Sequence, residues 1–101
     1  MFVLKRSSVF SDWLRHLKDM EAKARIIARL RQAERGNFGD CRSLAEGLWE
    51  MRIDAGKGYR VYYVRIGEIV FALLCGGDKK TQRQDIAKAR ILAAAAKKEQ
   101  P

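Results

Sequence analysis

Ile69 to Cys75 is an unbroken apolar run, Ile-Val-Phe-Ala-Leu-Leu-Cys, in a chain that is otherwise 33% charged. A run this short with no polar face reads as a central β-strand covered on both sides, so helix must pack over it. The segments just before it fit the same sheet. From Leu48 the hydrophobic period is two, with Trp49, Met51 and Ile53 on one side and Glu50 and Arg52 on the other. Asp54, Ala55, Gly56, Lys57 and Gly58 are turn residues, and Tyr59 to Arg65 is a strand rich in aromatic and β-branched side chains. A hairpin with that loop sets Ile53 opposite Tyr59, Arg52 opposite Arg60 and Glu50 opposite Tyr62. Gly67 and Glu68 then reverse the chain into the apolar run.

The two ends of the chain carry helical periods. Phe2 to Lys5 is a short apolar strand candidate, after which Ser7 or Ser8 can cap a helix whose stripe is Val9, Phe10, Trp13, Leu14 and Leu17. Asp19 can start a second helix, with Met20, Ile26, Ile27, Leu30 and Ala33 on its apolar side. Arg35 to Asp40, with Gly36, Asn37 and Gly39, ends it in a tight loop. After Gly76, Gly77 and Asp78, the pair Thr81 and Gln84 matches a capping box, and Ile86, Ala89, Leu92, Ala93 and Ala96 continue a last helix. The expected fold is α+β: a small antiparallel sheet packed against an N-terminal helical hairpin, with a C-terminal helix. With 101 residues and 48% hydrophobic content, the expectation is one domain over residues 1–101.

Composition narrows the partners. A formal net charge of +9 favours a polyanion or an acidic protein. Cys41 and Cys75 are far apart and form no Cys/His cluster of metal-ligand spacing, so no metal and no cofactor is expected. Met1 to Arg6 is too short an apolar stretch for a signal peptide, and no run approaches a bilayer span. A cytoplasmic protein without membrane contact is expected.

The hairpin register carries the candidate chemistry. Arg52 and Arg60 directly across a ladder repel one another by roughly 0.2–1 kcal/mol, which suggests a face built for an anion unless Glu50 neutralises it. Lys57 at the hairpin tip, with Lys79 and Lys80 after the apolar run, adds cations around the same sheet edge. Such a set suits a phosphodiester: transesterification of RNA needs a base for the 2′-hydroxyl proton, cations for the charge growing on phosphorus, and an acid for the leaving oxygen. Arg52, Arg60, Lys79 and Lys80 are the catalytic candidates. Tyr62 could stack on a base, although strand tyrosines usually pack in the interior. A Lys and Arg cluster without His more often binds than catalyses, and His16, on a helix, reads as a surface or packing residue.

The order of elements and several motifs resemble the HigB-like addiction-module killer proteins of the RelE/ParE toxin superfamily. The resemblance runs from Phe10 and Trp13 to Ala89. It is carried by Arg35-Gly36-Asn37-Phe38-Gly39-Asp40, by Glu50-Met51-Arg52-Ile53, by Gly58-Tyr59-Arg60-Val61-Tyr62-Tyr63, and most by Gly76-Gly77-Asp78-Lys79-Lys80-Thr81-Gln82 with Asp85-Ile86-Ala87-Lys88-Ala89. It implies the toxin of a type II toxin–antitoxin system, a ribosome-dependent mRNA endoribonuclease. The implied partners are a cognate antitoxin, commonly a HigA-like helix-turn-helix protein, the ribosome and mRNA. Arg52 and Arg60 match two cationic positions of the RelE-type surface, Lys79 or Lys80 is the nearest counterpart of a third, and Lys57, Tyr62 and Gln82 are the RNA-binding expectations. Two positions depart from the pattern: Glu50 stands where RelE-like proteins can carry a lysine, and no tyrosine follows Tyr63. Two other readings stay open, a ParE-like inhibitor of DNA gyrase and a non-catalytic nucleic-acid-binding module.

Overall fold

A computed structural model describes residues 1–99. The order is β1 (Val3–Arg6), α1 (Ser8–His16), α2 (Met20–Glu34), β2 (Cys41–Ser43), β3 (Leu48–Ile53), β4 (Tyr59–Arg65), β5 (Val70–Asp78) and α3 (Gln82–Lys98). The five strands form one sheet in the order β1-β5-β4-β3-β2. The α+β class is as expected, with helices before and after the sheet. The sheet is mixed rather than wholly antiparallel, because β1 runs parallel to β5 with Val3 beside Val70 and Arg6 beside Leu73. A short strand that precedes two helices can only return beside a distant partner, and the apolar β5 offers the free edge.

The helical starts follow their capping residues. The Ser7 hydroxyl accepts from the Phe10 amide at 3.0 Å while donating to the Leu74 carbonyl at 2.8 Å, so the cap also ties α1 to β5. Asp19 accepts from the Ala22 amide at 3.0 Å to open α2. At α3 the expected capping box does not form. Asp78 instead accepts from the amides of Lys80 (2.9 Å) and Thr81 (3.1 Å), and the Thr81 hydroxyl turns to the Asp85 carboxylate at 2.5 Å.

Two cores lie on opposite faces of the sheet. Phe10 and Leu14 of α1 and Ala22, Ile26, Leu30 and Ala33 of α2 pack on Met51, Ile53, Tyr59, Val61, Tyr63, Phe71 and Leu73. Ala89 and Ala93 of α3 pack on Leu48, Tyr62, Val64, Ala72, Leu74 and Cys75. A bulge helps build the second core: Tyr62 pairs with Cys75 but Tyr63 with Leu73, so Leu74 and Cys75 both face α3.

Gly76 and Gly77, read from sequence as the exit from the strand, lie inside β5. They let the helices close on it from both sides. A Cβ on Gly76 would run into the Trp13 ring, and one on Gly77 into the Asp85 carboxylate. The strand therefore continues to Asp78 and delivers Lys79 beside Gly58 in the turn of the β3–β4 hairpin.

Candidate functional site

The β3–β4 register is the one the turn residues dictate: Ile53 faces Tyr59, Arg52 faces Arg60 and Glu50 faces Tyr62. β2, which the sequence reading did not contain, extends the row, because Arg42 pairs with Glu50. On the α3 side of the sheet one line thus runs Arg42, Glu50, Tyr62, Cys75, and the next runs Arg52, Arg60, Gly77.

Glu50 is the centre of this surface, and it is fully buried. A carboxylate removed from water persists only when donors and opposite charges surround it. Four side chains from three elements, β2, β4 and α3, do so. The Tyr62 hydroxyl donates to Oε2 at 3.0 Å and the Gln82 amide donates to the same oxygen at 2.9 Å. The Arg42 guanidinium lies 3.2 Å from Oε1, and Arg60 Nε lies 3.7 Å from Oε2. Neither arginine contact has hydrogen-bond geometry, so among the described residues Oε1 and Arg60 Nε are buried without a hydrogen-bond partner.

The catalytic candidates divide. Arg60 is held in place: its side chain is only 12% exposed, and its terminal nitrogen donates to the Gly58 carbonyl at 2.8 Å. Gly58, at φ +78°, takes a left-handed turn conformation, and its Cβ position lies 3.6 Å from Arg60 and 3.7 Å from Lys79 Cβ. The turn therefore brings Arg60 and Lys79 to the same spot. Arg52 does not join them. It is 46% exposed and bonds Asp40 at 2.9 Å, which also accepts from the Arg52 amide through its carbonyl. Lys80 and Lys57 are exposed, Lys80 on the turn before α3 and Lys57 at the hairpin tip.

Tyr62 and Gln82, two of the RNA-binding expectations, both turn to Glu50. Tyr62 is fully buried and offers no ring face to a base. Burial first, and then the charge of Glu50, hold its hydroxyl well above the ordinary tyrosine range, so it remains a donor to that carboxylate. Gln82 is half-buried and gives its amide to Glu50. Both residues build the floor of the site. The reason is α3: a polar strand face looks solvated from local sequence, and a helix from the far end of the chain covers it.

A groove of about 1180 Å³ runs between the end of α1, the hairpin tip and the turn into α3, and Trp13, His16, Lys57 and Tyr59 line it. Asp12, Asp19, Asp78 and Asp85 line it together with Lys18, Lys57 and Lys88, so its charge is mixed. His16 is exposed there, with Nδ1 2.7 Å from the Asp12 carbonyl, and takes no part in the arginine rows. Burial pushes the Cys75 thiol up to about 12 and raises that of Cys41, so neither is poised as a thiolate. Among the described residues no cluster of His, Cys, Asp or Glu could hold a metal ion, and no helix is long and apolar enough to cross a membrane.

The arrangement can supply fixed positive charge. Guanidinium stays protonated at any physiological pH, so Arg42, Arg52 and Arg60 stabilise anions and do not accept protons. Sequence reasoning missed Arg42 and the burial of Glu50, although the hairpin register already set Glu50 where it could neutralise an arginine and opposite Tyr62.

A Haemophilus influenzae protein described as uncharacterized is 48% identical over 90 residues, spanning 89% of this chain and 91% of that protein. A family model described as phage-derived protein Gp49-like (DUF891) matches residues 12–99, which take in every residue of the arginine rows. The chain belongs to this Gp49-like family.

Proposed function

We propose that this chain is the toxin of a type II toxin–antitoxin pair and that it cleaves mRNA on the ribosome. The observation that carries the reading is Arg60, fixed between the Gly58 carbonyl and Glu50 on a middle strand, with Lys79 beside it. In the cleavage the 2′-oxygen attacks phosphorus, the 5′-oxygen leaves, and negative charge grows on the non-bridging oxygens between them. Cations already held in position stabilise that charge without reorganising. Arg60 and Lys79 have this role, and Lys57 and Lys80 extend the positive edge along the RNA. Tyr62 is locked to Glu50, so proton transfer is left to the exposed lysines of this edge or to groups of the ribosomal complex. The HigB-like resemblance and the Gp49-like membership support a toxin, and a net charge of +9 suits both RNA and an acidic antitoxin of the helix-turn-helix type.

The purified protein is to be added to a cell-free translation reaction, with mRNA 5′ ends mapped with and without ribosomes. New ends that require both protein and ribosomes are expected. Intact mRNA in that reaction, with growth arrest and DNA-damage signalling in cells, would transfer the assignment to DNA gyrase. RNA binding without any new ends would leave a non-catalytic module.

A further inference from the structure

We propose that Arg42 is a phosphate-contacting residue of this site and that Glu50 is the residue that positions it. The proposal rests on the RNA reading above and adds a residue from the edge strand β2. Charge bookkeeping singles Arg42 out. Arg52 has Asp40 to itself at 2.9 Å, and the pair is neutral. Glu50 is shared: Arg42 approaches one oxygen and Arg60 the other, while Tyr62 and Gln82 donate to it as well. One negative charge between two guanidinium groups leaves a positive charge over at this point of the sheet.

Of the two arginines, Arg42 is the one that solvent reaches. Its side chain is 51% exposed, against 12% for Arg60, and its one ion pair among the described residues is to the buried Glu50. A guanidinium anchored through one nitrogen keeps other N–H groups for an incoming acceptor, and anchoring removes rotamer freedom that would oppose binding. β2 is three residues long and forms the edge of the sheet, so nothing in the sheet flanks Arg42 on its outer side. Arg60 and Arg42 on opposite oxygens of one carboxylate then form an inner and an outer cation along the path of a phosphodiester chain.

The test titrates parent, R42Q, R42K and K5Q into the ribosome-containing reaction and reads the protein concentration that gives half-maximal mRNA cleavage. K5Q removes the same charge from β1, at the opposite edge of the sheet. Loss of a charged hydrogen bond to phosphate should raise that concentration about tenfold for R42Q. K5Q should shift it less than about twofold, and added salt should narrow the gap. R42K, which keeps the charge without the fork, should fall between R42Q and parent. Equal shifts for R42Q and K5Q would overturn the proposal while leaving the RNA reading in place. Should R42Q fail to fold, a parent-like value for R42K would overturn it. A parent protein that cleaves nothing would remove the RNA reading, and the role of Arg42 with it.

Discussion

Glu50 changes what a substitution at Arg60 means. From sequence, Arg60→Ala looks harmless to folding, because an exposed strand cation can be removed cheaply. With the Glu50 carboxylate fully buried, the same change takes away one of its two counter-charges. Removing one partner of a buried ion pair typically costs about 3–5 kcal/mol, so lost activity in Arg60→Ala would be confounded with lost structure. Arg60→Lys is the cleaner variant. It keeps a cation beside Glu50 but gives up the planar fork and the fixed bond to Gly58, and it should fold while cleaving mRNA roughly a hundredfold or more slowly. A folded Arg60→Lys protein that cleaves at the parent rate would remove Arg60 from the chemistry. His16→Ala belongs to the same experiment as a control. His16 lies in the groove beside α1 with its ring on the Asp12 carbonyl, and its loss should leave cleavage unchanged.

At the scale of elements, the glycines of β5 and the cap of α3 decide how closely the layers approach. Gly76 is where the Trp13 ring lies flush on the strand, and Gly76→Ala would force that ring or the strand to move. Overpacking of this kind costs about 1–3 kcal/mol. In a chain this size the melting temperature should fall by roughly 4–8 °C for each kcal/mol, a shift that calorimetry resolves; an unchanged melting curve would mean that α1 is not seated as described. The β3–β4 hairpin was legible in the sequence because alternation along β3, a β4 rich in aromatic and β-branched residues and a glycine-rich turn between them set the register. The starts of α1 and α2 were legible because Ser7 and Asp19 cap locally. β2 was not, since Cys41-Arg42-Ser43 has no alternation and pairs only because β3 lies alongside. The burial of Glu50 was hidden for a related reason: Gln82 and Ala89 lie more than thirty residues downstream, and no local pattern announces which face a distant helix will cover. Arg42 was therefore lost with β2, and the donation of Tyr62 and Gln82 to Glu50 was hidden with the helix that covers Tyr62 and carries Gln82.

For the molecule as a whole, ionisation links folding to both pH and partner. Cys75 lies between β5 and α3, and burial moves its thiol from 9.0 to about 12. In the unfolded chain the thiol loses its proton first, so the folded state is favoured fully below pH 9 and loses this contribution as pH rises from 9.0 towards about 12. Thermal melts across that window should show falling stability, and Cys75→Ala should flatten the decline. Tyr62, held up by burial and by Glu50, acts in the same direction. The net charge of +9 governs association instead. If the partner is the acidic antitoxin of the proposed function, the exposed Lys57, Lys79 and Lys80 should attract it over distances near the Debye length, about 10 Å at 0.1 M salt. Complex formation should therefore be fast at low ionic strength and slow markedly as salt rises, while the dissociation rate changes little. Stopped-flow mixing with the antitoxin across a salt series measures both. An association rate that stays flat across the series would mean that the two proteins meet through apolar surface, and the basic face would then be free for RNA alone.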